Sequence, residues 1–106
     1  MTLIMVREYP MRILVKYVDH RNVFMRTIRG LRRREMEKLE STKIVKYIDP
    51  YDITILNSLQ VRDLVGDLSI FDGIEAERLS WAVDAIKGMS YYCLEGVHRS
   101  LWIHGA

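Results

Sequence analysis

Apolar and polar residues alternate along residues 11–18, and this two-residue period indicates a β-strand. Ile13, Val15 and Tyr17 share one side of that strand. The run at 23–29 is also rich in β-branched and aromatic residues, and the "DHRN" between the two runs consists of turn-forming residues. The pattern therefore predicts a β-hairpin with strands at 11–18 and 23–29.

Three later segments have helical character. "LRRREMEKLEST", at 31–42, consists of good helix formers with a thin apolar stripe, which predicts a short surface helix. From Val61 onward apolar residues recur at i, i+3, i+4 and i+7, and Asn57 or Ser58 can cap that helix. Residues from about 75 to 95 keep the same spacing. This last run therefore predicts one long helix, although "MSYYCLEGV" alone would favour a strand.

The closing "RSLWIH" alternates again, with Leu101 and Ile103 on one side and Trp102 and His104 on the other. Residues 42–49, "TKIVKYID", are also β-like. Strands near both ends with helices between them predict an α+β fold. We expect the N-terminal hairpin and the C-terminal strand to share one small antiparallel sheet, packed by two or three helices.

Length and composition fit one globular domain over residues 1–106, because 49% of the residues are hydrophobic and 28% are charged. The single cysteine, Cys93, cannot form a disulfide within the chain, which favours a cytoplasmic location. No apolar run is long enough to span a membrane, so no membrane association is expected. "MRILVKYVDH" reads as a natural beginning at Met11, so residues 1–10 are expected to lie outside the core.

The net charge of +2 conceals an uneven distribution, because most of the basic residues lie in the first half of the chain and most of the acidic residues in the second. An arginine-rich cluster falls on the predicted hairpin and first helix and comprises Arg26, Arg29, Arg32, Arg33 and Arg34. Such a cluster suits a nucleic acid or an acidic protein. Trp81 is a candidate interface anchor, and a homodimer through Trp81 or an exposed strand edge stays open.

Two constellations could support catalysis. Asp49, Asp52 and His98 could serve a small metal-dependent hydrolase. Cys93, His98 and His104 lie within one short stretch, but their spacing matches no strong zinc signature. The sequence therefore predicts no metal, no cofactor and no catalytic residue, with the hydrolase kept as an alternative.

The stretch from Tyr47 to Gln60, "YIDPYDITILNSLQ", is predicted to be a structural loop. Its apolar members Ile48, Ile53, Ile55, Leu56 and Leu59 are expected to enter the core. Its polar members are expected to satisfy backbone groups that an irregular segment leaves unpaired. The residues assigned to this role are Asp49, Pro50, Tyr51, Thr54, Asn57 and Gln60.

Part of this loop and the chain's last residues together resemble a group of small bacterial proteins with a D-P-Y-x-x-T-x-x-N-x-L-Q segment and a closing C-x-x-G-x-H pattern. The matching positions are Asp49, Pro50, Tyr51, Thr54, Asn57, Leu59, Gln60, Cys93, Gly96, His98, Leu101, Ile103 and Gly105. Asp52 replaces an expected glycine, and Ala106 replaces an expected carboxylate. The resemblance implies an immunity-like or mobile-cassette accessory protein without a cofactor.

These observations favour a non-catalytic protein that binds another protein, in an immunity-like, accessory or regulatory role. The first alternative is a nucleic-acid-associated protein that uses the arginine cluster. The second is the small metal-dependent hydrolase.

Overall fold

The computed structural model describes residues 1–73 and 77–105. The strands are β1 (Thr2–Glu8), β2 (Arg12–Asp19), β3 (Ile53–Leu56) and β4 (Arg99–His104). The α-helices are α1 (Val23–Arg29), α2 (Arg33–Glu40), α3 (Ser58–Asp67) and α4 (Glu77–Leu94), and short 3-10 helices occupy Val45–Tyr47 and Leu68–Gly73. The predicted α+β class is confirmed, as are the long C-terminal helix and the closing strand.

The four strands form one antiparallel sheet in the order β2-β1-β4-β3. The first and last strands are neighbours at its centre, where Leu3 pairs with His104. β2 and β3 are the edge strands. The register between β1 and β2 shifts after Val6, so Leu14 is an extra residue in β2, a β-bulge. The bulge puts Ile13 on the opposite face from Val15 and Tyr17, so the prediction that these three share one side was wrong.

The predicted hairpin exists, but its strands are β1 and β2 rather than 11–18 and 23–29. Residues 23–29 form α1, because Phe24, Met25 and Ile28 have helical spacing and all three enter the core. The prediction of a strand there was wrong. The expectation that residues 1–10 lie outside the core was also wrong, because Ile4 and Val6 are fully buried.

A buried polar cluster starts α1. The Asp19 carboxylate accepts hydrogen bonds from the backbone N–H groups of Arg21 at 3.1 Å and Phe24 at 3.0 Å. Thr2 donates to the side-chain oxygen of Asn22, the N-cap residue of α1. These contacts satisfy donors that a helix start leaves unpaired, and they join the beginning of β1 to α1.

The core lies on one face of the sheet. Ile4, Val6, Leu101 and Ile103 point into a cluster that includes buried residues of all four helices. α4 contacts β1, β2 and β4, and α3 packs against α4. In a strand, alternate residues point to opposite faces. The residues that alternate with these four along β1 and β4 therefore point to the other side of the sheet.

The β-like segment 42–49 is not a strand, because the Asp67 carboxylate binds its backbone. That carboxylate accepts from the N–H groups of Lys43 (3.0 Å), Ile44 (2.6 Å) and Val45 (3.1 Å). N–H groups that bond a carboxylate cannot at the same time bond a neighbouring strand. The segment is therefore fixed to the end of α3 as a 3-10 turn, with Val45 fully buried.

We expect Asp67→Asn to destabilise the fold by about 1–3 kcal/mol, because a neutral amide oxygen replaces a charged acceptor of several backbone bonds. Urea unfolding followed by circular dichroism measures the change. Asp63→Asn is the matched control on the same helix. Asp63 makes an exposed ion pair with Lys43 at 3.7 Å, so its loss should cost about 0.5 kcal/mol or less. Equal effects of the two substitutions would contradict the proposed clamp.

Candidate functional site

The predicted arginine cluster lies on two helices rather than on a strand and a helix. Arg26 and Arg29 belong to α1, Arg32 is the N-cap residue of α2, and Arg33 and Arg34 lie in the first turn of α2. All five side chains are exposed. Exposure alone does not make them available, since some of them have partners within the chain.

Arg29 is held by the turn before β3. Its guanidinium donates to the Pro50 carbonyl oxygen at 2.6 Å, and the guanidinium carbon lies 4.5 Å from the centre of the Tyr51 ring. An exposed cation–π contact of this kind contributes about 0.5–1 kcal/mol. Arg29 therefore ties α1 to the Tyr47–Gln60 segment.

Arg26, Arg33 and Arg34 have no side-chain hydrogen bond or ion pair within the described part of the chain. Glu35 accepts instead from the backbone N–H of Arg32 at 3.0 Å. Positive charge in the first turn of a helix opposes the helix dipole, so Arg33 and Arg34 do not stabilise α2 through it. These three guanidinium groups are free to meet an anionic partner.

Trp81 is 46% exposed on α4. Its ring packs edge-on against Tyr17 of β2, with 5.7 Å between the ring centres. The Tyr17 hydroxyl is covered and has no hydrogen-bond partner among the described residues. Burial raises the pKa of Tyr17 to about 12, and the negative charge of Asp19 adds to the effect. Half of Trp81 is thus anchored on the sheet, and the other half stays accessible.

The turn before β3 satisfies its own backbone with its aspartates. Asp49 accepts from the Tyr51 N–H at 2.8 Å, and Asp52 accepts from the Ile53 N–H at 2.7 Å. The Thr54 hydroxyl accepts from the Asp49 N–H at 3.0 Å. These three side chains accept backbone hydrogen bonds within the segment itself.

The end of the same segment is a capping box. The Asn57 side chain accepts from the Gln60 N–H at 2.9 Å, and the Gln60 side chain accepts from the Asn57 N–H at 2.9 Å. The reciprocal pair starts α3 and gives both amide oxygens a capping role.

The apolar members of the segment divide into two groups. Ile48 and Leu56 are buried, as expected, whereas Ile53 and Ile55 of β3 are 44% and 51% exposed, and Leu59 on α3 is 66% exposed. The expectation that all five enter the core was wrong. Alternation along β3 sends Leu56 to the core face and Ile53 and Ile55 to the opposite face.

The candidate hydrolase residues do not converge. The Gly105 N–H donates to the Asp52 carbonyl oxygen at 2.8 Å, which places Asp49 and Asp52 near the end of β4. His98 directly precedes the start of β4, and six strand residues span about 20 Å. Within residues 1–73 and 77–105, no group of three or more His, Cys, Asp or Glu side chains is placed to hold a metal ion.

Cys93 is fully buried in the core. Burial raises the pKa of the Cys93 thiol, and the nearby positive charge of Arg99 only partly opposes this. A buried thiol with a raised pKa is a poor nucleophile.

The sheet surface opposite the core is the feature that the sequence did not reveal as a site. We term it the open face. Its side chains follow from the strand register and are Leu3, Met5, Arg7, Ile13, Lys16, Val18, Ile53, Ile55, Ser100, Trp102 and His104. None of these residues belongs to the helix-packed core cluster or to the half-buried residues against it. The alternation of Trp102 and His104 with Leu101 and Ile103 was the one signal that pointed to it.

Trp102 lies at the centre of the open face. The guanidinium carbon of Arg7 lies 4.3 Å from its ring centre, and the His104 ring stacks beside it at 6.4 Å with an interplanar angle of 23°. The indole N–H donates to the Ser100 hydroxyl at 2.9 Å. Met5, opposite Trp102 in the register, is only 4% exposed. The middle of the face is therefore a preformed packed surface.

The charges of the open face have one sign. Its register positions include the cations Arg7 and Lys16 but no aspartate or glutamate. The Nε atom of Arg7 and the Nε2 atom of His104 are covered, and neither has a hydrogen-bond partner among the described residues. The face combines exposed isoleucines with cations, so it suits a partner that is apolar and acidic.

No family model, no curated protein and no solved structure matches this chain. The resemblance to bacterial accessory proteins therefore stays a prediction. Among the described residues, no helix is both long enough and apolar enough to cross a membrane.

Gly105 has a packing role in holding the turn before β3. A Cβ atom there would lie 2.5 Å from the carbonyl carbon and oxygen of Pro50. We expect Gly105→Ala to destabilise the protein by about 1–3 kcal/mol, because backbone must move to make room. Chemical denaturation measures the change, with Gly66→Ala as control. No atom lies within 4 Å of a Cβ at Gly66, so this helical substitution should stabilise the fold by up to about 1 kcal/mol. A loss of stability at Gly66, or none at Gly105, would contradict the packing argument.

The raised pKa of Tyr17 predicts a pH dependence of stability. In the unfolded chain Tyr17 ionises near its usual 10.0, whereas in the folded protein its pKa is about 12. Its contribution to stability is therefore fully present below about pH 10 and falls as the pH rises above that value. We expect the difference in unfolding free energy between the wild type and Tyr17→Phe to shift in favour of the variant between about pH 8 and pH 11. A difference that stays constant with pH would contradict the assignment.

Proposed function

We propose that this protein is a non-catalytic binding protein whose open face docks another protein. The observation that carries the proposal is an apolar sheet face that no described helix covers. Ile13, Ile53 and Ile55 are 49%, 44% and 51% exposed on it. Burial of the exposed half of each side chain would contribute about 1 kcal/mol. Ile53 and Ile55 are neighbours on one edge strand and Ile13 lies on the other, so exposed apolar groups flank Trp102 on both sides of the face. An exposed face that combines apolar and polar groups in this way is typical of a protein interaction site.

The charges of the open face indicate the charge of the partner surface. Arg7 and Lys16 lie on β1 and β2 with no carboxylate among the register positions of the face. A partner with apolar side chains flanked by aspartate or glutamate would match both properties, whereas a basic partner would be repelled. We therefore expect an acidic protein surface to contact Arg7 and Lys16 while its apolar residues cover the isoleucines.

A protein suits this face better than a single-stranded nucleic acid does. Base recognition on a sheet requires an aromatic ring with a free face for stacking. The Trp102 ring already has Arg7 over it at 4.3 Å and His104 stacked beside it.

Nucleic-acid binding is the second candidate, and it would use the helices rather than the sheet. The free guanidinium groups of Arg26, Arg33 and Arg34 favour it. Binding to a phosphate backbone through a few such contacts weakens steeply with salt, by about tenfold or more between 50 and 200 mM. This salt dependence separates it from an interface that is largely apolar.

The test compares three tagged baits in lysate of the native host that has been treated with nuclease: the wild type, Ile13→Asp/Lys16→Glu, and Leu59→Asp. The double variant reverses the charge and removes an apolar contact on the open face. Leu59→Asp alters an equally accessible apolar residue that lies on α3, outside that face. Circular dichroism confirms that each bait is folded.

We expect an acidic protein to bind the wild type and Leu59→Asp and to be lost from the double variant. Direct titration with that purified protein should give a Kd at least about tenfold weaker for the double variant, or about 1.4 kcal/mol. Equal retention by all three baits would refute the open face as the site. A parallel pull-down from untreated lysate adds the bait Arg26→Glu/Arg33→Glu/Arg34→Glu. Material that binds the wild type only without nuclease, and that this bait loses, would favour the second candidate instead.

A further inference from the structure

We propose that two copies of this chain pair through their β3 edges, which would extend the four-stranded sheet to eight strands about a two-fold axis. The inference goes beyond the docking of a partner on the open face and does not depend on it. It rests on the contrast between the two edges of the sheet, on the direction of the backbone hydrogen bonds in β3, and on the self-complementarity of its residues.

The two edges of the sheet differ in their protection against pairing. β2 carries the exposed Lys16 in its middle and the bulge at Leu14, which are two common devices against edge-to-edge association. β3, "ITIL", has no charged residue, no proline and no bulge in its register with β4. Edge strands without such protection are the ones that accept another strand.

The hydrogen bonds of β3 leave two residues directed outward. The Gly105 N–H donates to the Asp52 carbonyl oxygen at 2.8 Å, so the alternating pattern assigns Asp52, Thr54 and Leu56 to bonds with β4. The N–H and C=O groups of Ile53 and Ile55 then point to the free edge. The hydrogen bond of the Ile53 N–H is consistent with this direction, since it donates to the Asp52 side chain at 2.7 Å and not to β4.

These constraints select one register for the pair. Residues opposite each other in an antiparallel pair point to the same face, so Ile53 and Ile55 must oppose residues of the open face. Placing Ile53 opposite Ile55 of the second copy makes both outward pairs hydrogen-bonded and gives four backbone bonds. Two of these form when each Ile53 N–H exchanges its own Asp52 carboxylate for the Ile55 carbonyl oxygen of the second copy. Thr54 then lies opposite Thr54 of the second copy at the two-fold axis. The alternative register, with Ile55 opposite Ile55 of the second copy, would form only two bonds between the N–H and C=O groups of Ile53 and Ile55.

The selected register brings no like charges together. It places Asp52 opposite Leu56 of the second copy, and the strand between them is neutral. Ile53 and Ile55 of both copies would form a continuous patch of four isoleucines on the open face. The pairing is isologous, as a closed two-fold dimer requires.

Four residues per strand make a small interface, so the dimer should be weak, with a Kd on the order of 10–1000 µM. Sedimentation velocity from about 10 µM to about 1 mM covers that range. The test compares the wild type with Ile55→Lys and with Ile13→Lys. The two isoleucines are 51% and 49% exposed on the same face, but Ile13 lies on the protected edge strand.

We expect the wild type and Ile13→Lys to dimerise with rising concentration, and Ile55→Lys to dimerise at least about tenfold more weakly. A wild type that stays monomeric throughout the range would overturn the proposal. So would an Ile55→Lys variant that dimerises as strongly as Ile13→Lys. The open-face variant Ile13→Asp/Lys16→Glu should keep the dimer even where it loses a partner, which separates a failure of this inference from a failure of the proposed function.

Disulfide trapping tests the register directly. A non-hydrogen-bonded pair has its Cα atoms about 4.5 Å apart, which lies within the range that a disulfide spans. Under mild oxidation Thr54→Cys should form a covalent dimer at least about tenfold faster than Lys16→Cys on the opposite edge. The native Cys93 is fully buried and does not compete. Equal rates for the two variants would refute the Thr54 pairing.

Discussion

The pairing of the first strand with the last is the constraint on which the rest of the structure depends. β1 and β4 lie side by side at the centre of the sheet, from Leu3–His104 to Glu8–Arg99. Their alternate residues supply the apolar floor on which α1, α3 and α4 pack. β2 and β3 only extend this pair on either side, so both of them become edges. The single-sided core, the open face and the unequal edges all follow from that central pair.

Much of the fold could be predicted from local patterns. The two-residue alternation identified β2 and β4, and the helical spacing identified α3 and α4 despite an interior glycine. The prediction of a strand at residues 23–29 was wrong because it relied on their β-branched content. The spacing of Phe24, Met25 and Ile28 fits a helix just as well. Contacts with other parts of the chain favour the helix. β1 occupies the position beside β2, and the Asp19 carboxylate caps the start of α1.

The candidate site could be predicted only in part. The polar residues of the Tyr47–Gln60 segment bond their neighbours in sequence, so their structural role could be inferred from turn chemistry. The roles of Arg29 and Asp67 depend on backbone groups that are distant in sequence, and local patterns do not predict such contacts. The alternation of Trp102 and His104 with core residues is visible in the sequence. Their exposure to a partner is not, because it depends on all the described helices packing on the other side of the sheet.

The central position of β1 has a consequence for synthesis of the chain on the ribosome. β1 and β2 emerge long before β4 and can form their hairpin at once, because a tight turn joins them. The other edge of β1, with the uncharged run "TLIMV", then stays unpaired until β4 has been translated about ninety residues later. During that interval the nascent hairpin exposes the edge that the finished sheet buries at its centre. Chaperone protection of the nascent chain would therefore matter most before β4 emerges, because an unpaired edge can accept a strand from another chain.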